Sequence, residues 1–288
     1  MTNRIDATFA RCKQEGKTAF ITFIPCGYKE KADTIPILLA CQAGGADIIE
    51  VGIPYSDPGA DGPVIQRAHQ NGVDQGITFA DVLQTVSDAR AQGLTVPVVL
   101  MGYFNNFLQY GLDTVCPHSK KAGVDGFIVV DLPPEEATEV SALTKQHGIC
   151  FIPLVSPTTV DSRMRTIDRS MASPCILVFL TSNVWFCMSV ALIAAVGSGF
   201  CYVVSLTGVT GSRNAMAVNL EEFVIRIRKH ISLPLALGFG LSSKAHVQAA
   251  GKLVDGAVIG SKIVNVIDEA PRDQRAQKVK DFCLSITQ

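Results

Sequence analysis

Ile48-Ile49-Glu50-Val51-Gly52-Ile53-Pro54-Tyr55-Ser56-Asp57-Pro58-Gly59-Ala60-Asp61-Gly62-Pro63 runs from an apolar strand into a short loop rich in Gly and Pro. The strand is apolar on both faces, the pattern of a strand covered on both sides in a parallel sheet. Glu50, near its end, has no cheap place there, because a carboxylate removed from water must be compensated. It must be paired, solvated in a pocket, or used to move protons. The loop then presents a second carboxylate, Asp61. One carboxylate on a strand end and one on the following loop can act as acid and base on a single small substrate. The other reading of the same spacing is a paired strand-end Glu and a turn-capping Asp.

Outward from this stretch, apolar runs alternate with amphipathic ones to both ends of the chain. The runs that read as strands are Ala19–Pro25, Asp47–Gly52, Val96–Gly102, Gly126–Asp131, Cys150–Val155, Cys201–Ser205, Pro234–Gly238 and Gly256–Ile259. Helical patterns such as Lys31–Ala43, Phe79–Gln92, Glu135–His147 and Leu220–His230 lie between them. Eight strands alternating with helices predict an α/β fold of one domain over residues 1–288, a (β/α)8 TIM barrel, with a doubly wound open sheet as the second choice. Thr2–Glu15 reads as an extra N-terminal helix that closes the bottom. A barrel places its site at the C-terminal strand ends, where Glu50, Tyr103, Asp131, Thr210, Gly211, Gly238, Gly240, Gly260 and Ser261 all fall.

Composition narrows the function. The 288 residues are 48% hydrophobic and 18% charged, with a net charge of -1 and only 7% aromatic residues. That leaves no basic patch for nucleic acid or an anionic membrane and no base-stacking surface. The nine cysteines include no CxxC pair and several lie in apolar runs. They read as reduced, buried thiols of a cytoplasmic protein. His69, His118, His147, His230 and His246 do not cluster, so no metal site is expected and they read as surface or helix-end residues. The N-terminus shows no apolar signal core, and Asp6 and Glu15 argue against a transit peptide.

Three glycine-rich turns follow the last three strands: Thr207-Gly208-Val209-Thr210-Gly211, Gly238-Phe239-Gly240-Leu241-Ser242 and Ile259-Gly260-Ser261. Glycine lets backbone N–H groups approach an anion, and barrels commonly hold phosphate there. No Lys or Arg is obviously placed to help, so the cradle would be mainly backbone and hydroxyl.

With Glu50 to Pro63, Leu100-Met101-Gly102-Tyr103, Val130-Asp131-Leu132-Pro133, Gly208-Val209-Thr210-Gly211 and Gly238-Phe239-Gly240 in view, the chain resembles the α subunit of tryptophan synthase over nearly its whole length. The resemblance implies a lyase that splits indole-3-glycerol phosphate into indole and glyceraldehyde 3-phosphate in tryptophan biosynthesis. It implies no cofactor in this chain. A β chain, or a fused β domain, would carry pyridoxal phosphate and receive the indole. Glu50 would shuttle protons, and Asp61 would stabilise charge at the indole nitrogen. Phe23, Leu100, Tyr103, Ile128 and Tyr202, with Phe239, would form the indole slot. Gly211, Gly238, Gly240, Gly260 and Ser261 would hold phosphate, and Thr210 would sit on a lid closing toward Asp61. Asp131 would either bond that lid or orient its own turn. Asp57-Pro58 would face the partner. Two other readings stay open: a phosphosugar barrel with another substrate, and a catalytically weak subunit that mainly activates a β chain.

Five positions depart from the family pattern. Pro25, Cys26 and Lys29 stand where Thr, Ala and Pro are usual, Asn106 where Pro is common, and Gly59 where Leu is usual. In addition, no Asp, Glu, Lys or Arg occurs between Arg169 and Arg213, and 174–195 is nearly all apolar. A run of ~22 such residues has the length of a membrane span. A span there would put the two halves of one barrel on opposite sides of a membrane, so a membrane is not expected. Removing 168–193 restores a family-length connection. The segment therefore reads as an insertion or a retained intron.

Overall fold

The computed structural model describes residues 3–133, 136–167, 196–204, 213–238 and 240–288. The segment 168–193, Thr210, Gly211 and Phe239 lie outside the described residues. Nine parallel strand segments carry the site: β1 (Ala19–Pro25), β2 (Ile48–Gly52), β3 (Val98–Gly102), β4 (Gly126–Val129), β5 (Cys150–Phe151), β6 (Leu154–Val155), β7 (Cys201–Val204), β8 (Leu235–Gly238) and β9 (Gly256–Ile259). Their order is β5-β4-β3-β2-β1-β9-β8-β7-β6. The two ends of this order belong to one stave. Ile152 N–H donates to the Phe127 carbonyl of β4 at 2.8 Å, and the Pro153 carbonyl accepts from Tyr202 N–H of β7 at 2.8 Å. Pro153 lacks an N–H, which explains why the predicted strand Cys150–Val155 splits in two. The ring therefore closes as eight staves, and the open-sheet alternative falls.

Strand alternation sorts the side chains. Phe127 packs edge-on against Phe107 of the helix Phe104–Tyr110, with ring centroids 5.2 Å apart, so it faces the helical layer. Leu100 is in register with Phe127 and shares that face. Met101 and Ile128, also in register, face the barrel interior and line its cavity. Two residues deeper, Phe23, Glu50 and Val99 form an interior layer across β1, β2 and β3. Pro25 is tolerated at the top of β1 because alternate amides serve opposite neighbours. Cys26 N–H bonds Gly52 on β2, so the amide missing at 25 would face β9, whose pairing ends at Ile259 opposite Thr22.

The helix Arg4–Gln14 covers the bottom, as expected for the extra N-terminal helix. Asn3 caps it by accepting from Ile5 N–H at 2.8 Å and donates to the Asp125 carbonyl at 3.2 Å. Phe9 and Phe200 meet at 5.4 Å. The bottom is further tied by a repeated device. Asp47, Asp125 and Asp255 each precede a strand. Each donates its own N–H to the neighbouring strand, at Phe20, Val98 and Leu235, all at 2.8 Å. Each carboxylate then accepts the N–H of that same neighbour, at 3.0, 3.0 and 2.7 Å. Arg11, Arg90 and Arg228 complete the three clamps. The described cysteines are buried, with no disulfide among them. Among the described residues no helix is long and apolar enough to cross a membrane.

Candidate active site

Glu50 is 0% exposed, and neither of its carboxylate oxygens has a hydrogen-bond partner among the described residues. Burial alone pushes its carboxyl up to about 8, so near neutral pH it holds a proton. Gly52, directly above it on β2, leaves room at the next interior layer. A Cβ there would come within 2.7 Å of the Phe23 ring, which leans into that space.

Asp61 approaches from the loop. Tyr103 Oη donates to Asp61 Oδ2 at 2.8 Å and accepts from Ala60 N–H at 3.1 Å, so one hydroxyl pins both residues. The Tyr103 ring stacks on Tyr55 at 4.8 Å. Asn106 holds the Tyr103 backbone, accepting its N–H at 3.1 Å, and donates to the Pro54 carbonyl at 3.3 Å. The unusual Asn106 therefore splints the two loops together. Burial raises the Asp61 carboxyl to about 6, partly offset by the Tyr103 hydroxyl.

A cavity of about 430 Å³ opens over β4 to β7. Asp61, Met101, Ile128, Asp131 and Tyr202 are on its wall. Tyr202 is pushed well above the usual phenol range by burial and by the nearby Glu50 and Asp61 carboxylates. It stretches over Gly238, where a Cβ would sit 2.1 Å from the Tyr202 hydroxyl. Gly238 ends β8, and Gly260 caps the helix Ser261–Glu269 on the adjoining β9. Gly240 has φ +78° and open space around it. The glycine turns thus edge the same barrel mouth. Among the described residues no cluster of three or more His, Cys, Asp or Glu could hold a metal ion.

Two expectations need correcting. Leu100 does not reach the slot, because strand alternation turns it toward the helices and gives its place to Met101. His69 is not a surface residue. It is 1% exposed, on the helix Pro63–Asp74, with its ring 6.3 Å from Phe23 and Nε2 3.8 Å from Asp61 Oδ2. A sequence signal existed, since Ile65, Ala68, His69 and Gly72 share one helical face, and that face is buried. Asp131 accepts the Phe104 N–H at 2.6 Å, at the start of the helix that follows β3 and not in its own turn; Thr210, its expected partner on the lid, lies outside the described residues.

The profile of the family "Tryptophan synthase alpha chain" matches residues 9–183 and 175–287. The chain belongs to this family. Its role therefore lies in tryptophan biosynthesis. The alpha chain of Roseiflexus sp. is 41% identical, with 99% of both chains covered. The tryptophan synthase of Saccharomyces cerevisiae is 40% identical over 99% of this chain, which spans only 37% of that relative's length. A crystal structure of the alpha subunit from Legionella pneumophila str. Paris superposes with a TM-score of 0.83 at 32% identity, covering 99% of this chain and 97% of the other.

Proposed function

We propose that this chain is a lyase cleaving indole-3-glycerol phosphate to indole and glyceraldehyde 3-phosphate. The observation that carries the reading is Glu50, fully buried and without a hydrogen-bond partner among the described residues, one layer beneath a cavity whose wall includes a second carboxylate. The protonated carboxyl gives its proton to indole C3, making the indolenine. Asp61, ionised, accepts a hydrogen bond from the ring N–H as positive charge develops there. The Glu50 carboxylate then removes the proton from the hydroxyl on the carbon attached to the ring. The carbon–carbon bond breaks, its electrons return to the indole ring, and the oxygen becomes the aldehyde of glyceraldehyde 3-phosphate. Glu50 ends protonated, so the cycle closes.

Phe23, Tyr103, Met101, Ile128 and Tyr202 supply the apolar slot. Gly238, Gly240, Gly260 and Ser261, with Gly211, hold the phosphate through backbone and hydroxyl groups. The chain needs no cofactor for this step. Its partner is a tryptophan synthase β chain, separate or fused, which carries pyridoxal phosphate and consumes the indole. The compartment is the cytoplasm.

Indole release from indole-3-glycerol phosphate by the purified chain, beside a version lacking 168–193, tests the reading. Release by both chains is the expected result. Release by the shortened chain alone keeps the function and makes the segment a block. No release from either, even with a β chain, removes the lyase reading.

Gly59 bears on the rate. A Cβ at Gly59 would meet nothing within 4 Å, and its φ is outside the positive region. Gly59→Leu should therefore restrict the Asp61 loop without strain and raise kcat about two- to fivefold. An unchanged kcat would show that ordering this loop does not limit turnover.

A further inference from the structure

His69 is a buried polar group beside Asp61 that the chemistry above leaves unused. Both ring nitrogens are buried, and neither makes a well-formed hydrogen bond among the described residues; the Ile53 backbone is near enough to hold the ring only weakly. Leaving such groups unpaired costs about 1–3 kcal/mol, so a position of this kind calls for an occupant or a use. Its neighbours narrow the use. Phe23 covers one side of the ring, and the Ile53 backbone runs alongside it. Nε2 lies 3.8 Å from Asp61 Oδ2, about 0.6 Å beyond hydrogen-bond range. The same Oδ2 already accepts from Tyr103. The described titratable groups around the Asp61 carboxylate are His69 from its helix, Tyr103 from the end of β3 and Tyr202 from β7, with Glu50 of β2 near Tyr202 and Asp131 near Tyr103.

We propose that His69 is a positioning residue for Asp61: its neutral Nε2–H closes onto the Asp61 carboxylate when substrate occupies the cavity, adding a second donor to that of Tyr103. This rests on the lyase reading above, because it gives Asp61 a charge to hold. The imidazole stays neutral, since burial, partly opposed by the Ile53 backbone, pushes its pKa down to about 4. A neutral ring donates a proton in a hydrogen bond without becoming a counter-ion. It therefore steadies the carboxylate and does not cancel the charge that the indole nitrogen needs. The closure required is about 0.6 Å.

The test compares His69→Gln, which keeps an N–H donor of similar reach, with His69→Leu, which keeps only the bulk. Both are assayed for indole release as pH profiles of kcat and KM, beside the wild type. His69→Leu should lose about ten- to a hundredfold in kcat, the effect of one hydrogen bond to a charged group, with KM nearly unchanged. Its acid limb should move to higher pH, because the carboxylate in the substrate complex has lost a donor that favours ionisation. His69→Gln should recover most of both. If the two variants match each other in kcat and in acid limb, His69 only fills space and the proposal fails while the lyase reading stands. If the wild type releases no indole, both fall.

Discussion

Replacing Glu50 with Gln should stop indole release and, at the same time, make the protein more stable in mildly alkaline solution. The first effect follows from the chemistry. Gln has the shape of Glu but neither gives nor takes the proton, so a loss of about a hundred- to ten-thousandfold in kcat/KM is expected. The second follows from burial. The folded pKa of about 8 stands above the ordinary value of 4.5. The stability this group contributes is therefore complete below about pH 4.5 and is lost as pH rises through 8, because the unfolded chain ionises first. At pH 8 that loss is on the order of 2–4 kcal/mol, and Gln does not incur it. The Tm of Glu50→Gln should thus match the wild type near pH 5 and exceed it increasingly toward pH 8. A Tm difference independent of pH would mean that Glu50 ionises freely in the folded protein, and a carboxylate already ionised at neutral pH could not start the reaction by donating a proton.

That conflict between stability and chemistry is why so much of the site was visible in the sequence. A carboxylate in an otherwise apolar parallel strand is a local contradiction, and Glu50 shows it without any tertiary information. β1 and β9 match their predicted bounds, because both are uninterrupted apolar runs between clear turns. What sequence hid depends on phase and distance. Leu100 and Met101 are both apolar and adjacent, so only the register with Phe127 and Ile128 decides which of them faces the cavity. Pro153 breaks a stave whose apolar pattern runs through it. His69 carries no motif, and its meaning comes from Asp61 standing eight residues earlier across a loop whose path the pattern does not give. Asn106, a departure from the family, becomes intelligible only when Tyr103 and Pro54 are seen on either side of it.

The clamps at the bottom of the barrel hide in the same way. Ala46-Asp47-Ile48, Val124-Asp125-Gly126 and Val254-Asp255-Gly256 look like ordinary turns, yet each carboxylate closes a ring with the first amide of the adjoining strand. Asp125 should be among the most consequential. Its side chain is 6% exposed, and it accepts from Val98 N–H and from Arg90 at 2.9 Å. Arg90 also donates to the carbonyls of Gly123, Leu94 and Val96, so the pair fixes the turn that launches β4. Asp125→Ala would strand a buried N–H and remove the only carboxylate facing Arg90 among its described contacts. A loss of about 3–5 kcal/mol is expected, read as a lower urea midpoint at unchanged m. Asp125→Asn keeps an acceptor for Val98 and should lose about half of that. Asp255, with its side chain 40% exposed, makes the same ring under solvent, so Asp255→Ala should cost only about 1–2 kcal/mol. Equal losses at 125 and 255 would mean that the shared backbone ring, and not the buried ion pair with Arg90, carries the stability of the clamp. The active-site carboxylates stand at the opposite end of the same staves. Asp125→Ala should therefore leave the pH profile of indole release unmoved at temperatures where the protein remains folded, which separates what holds the barrel from what works in its mouth.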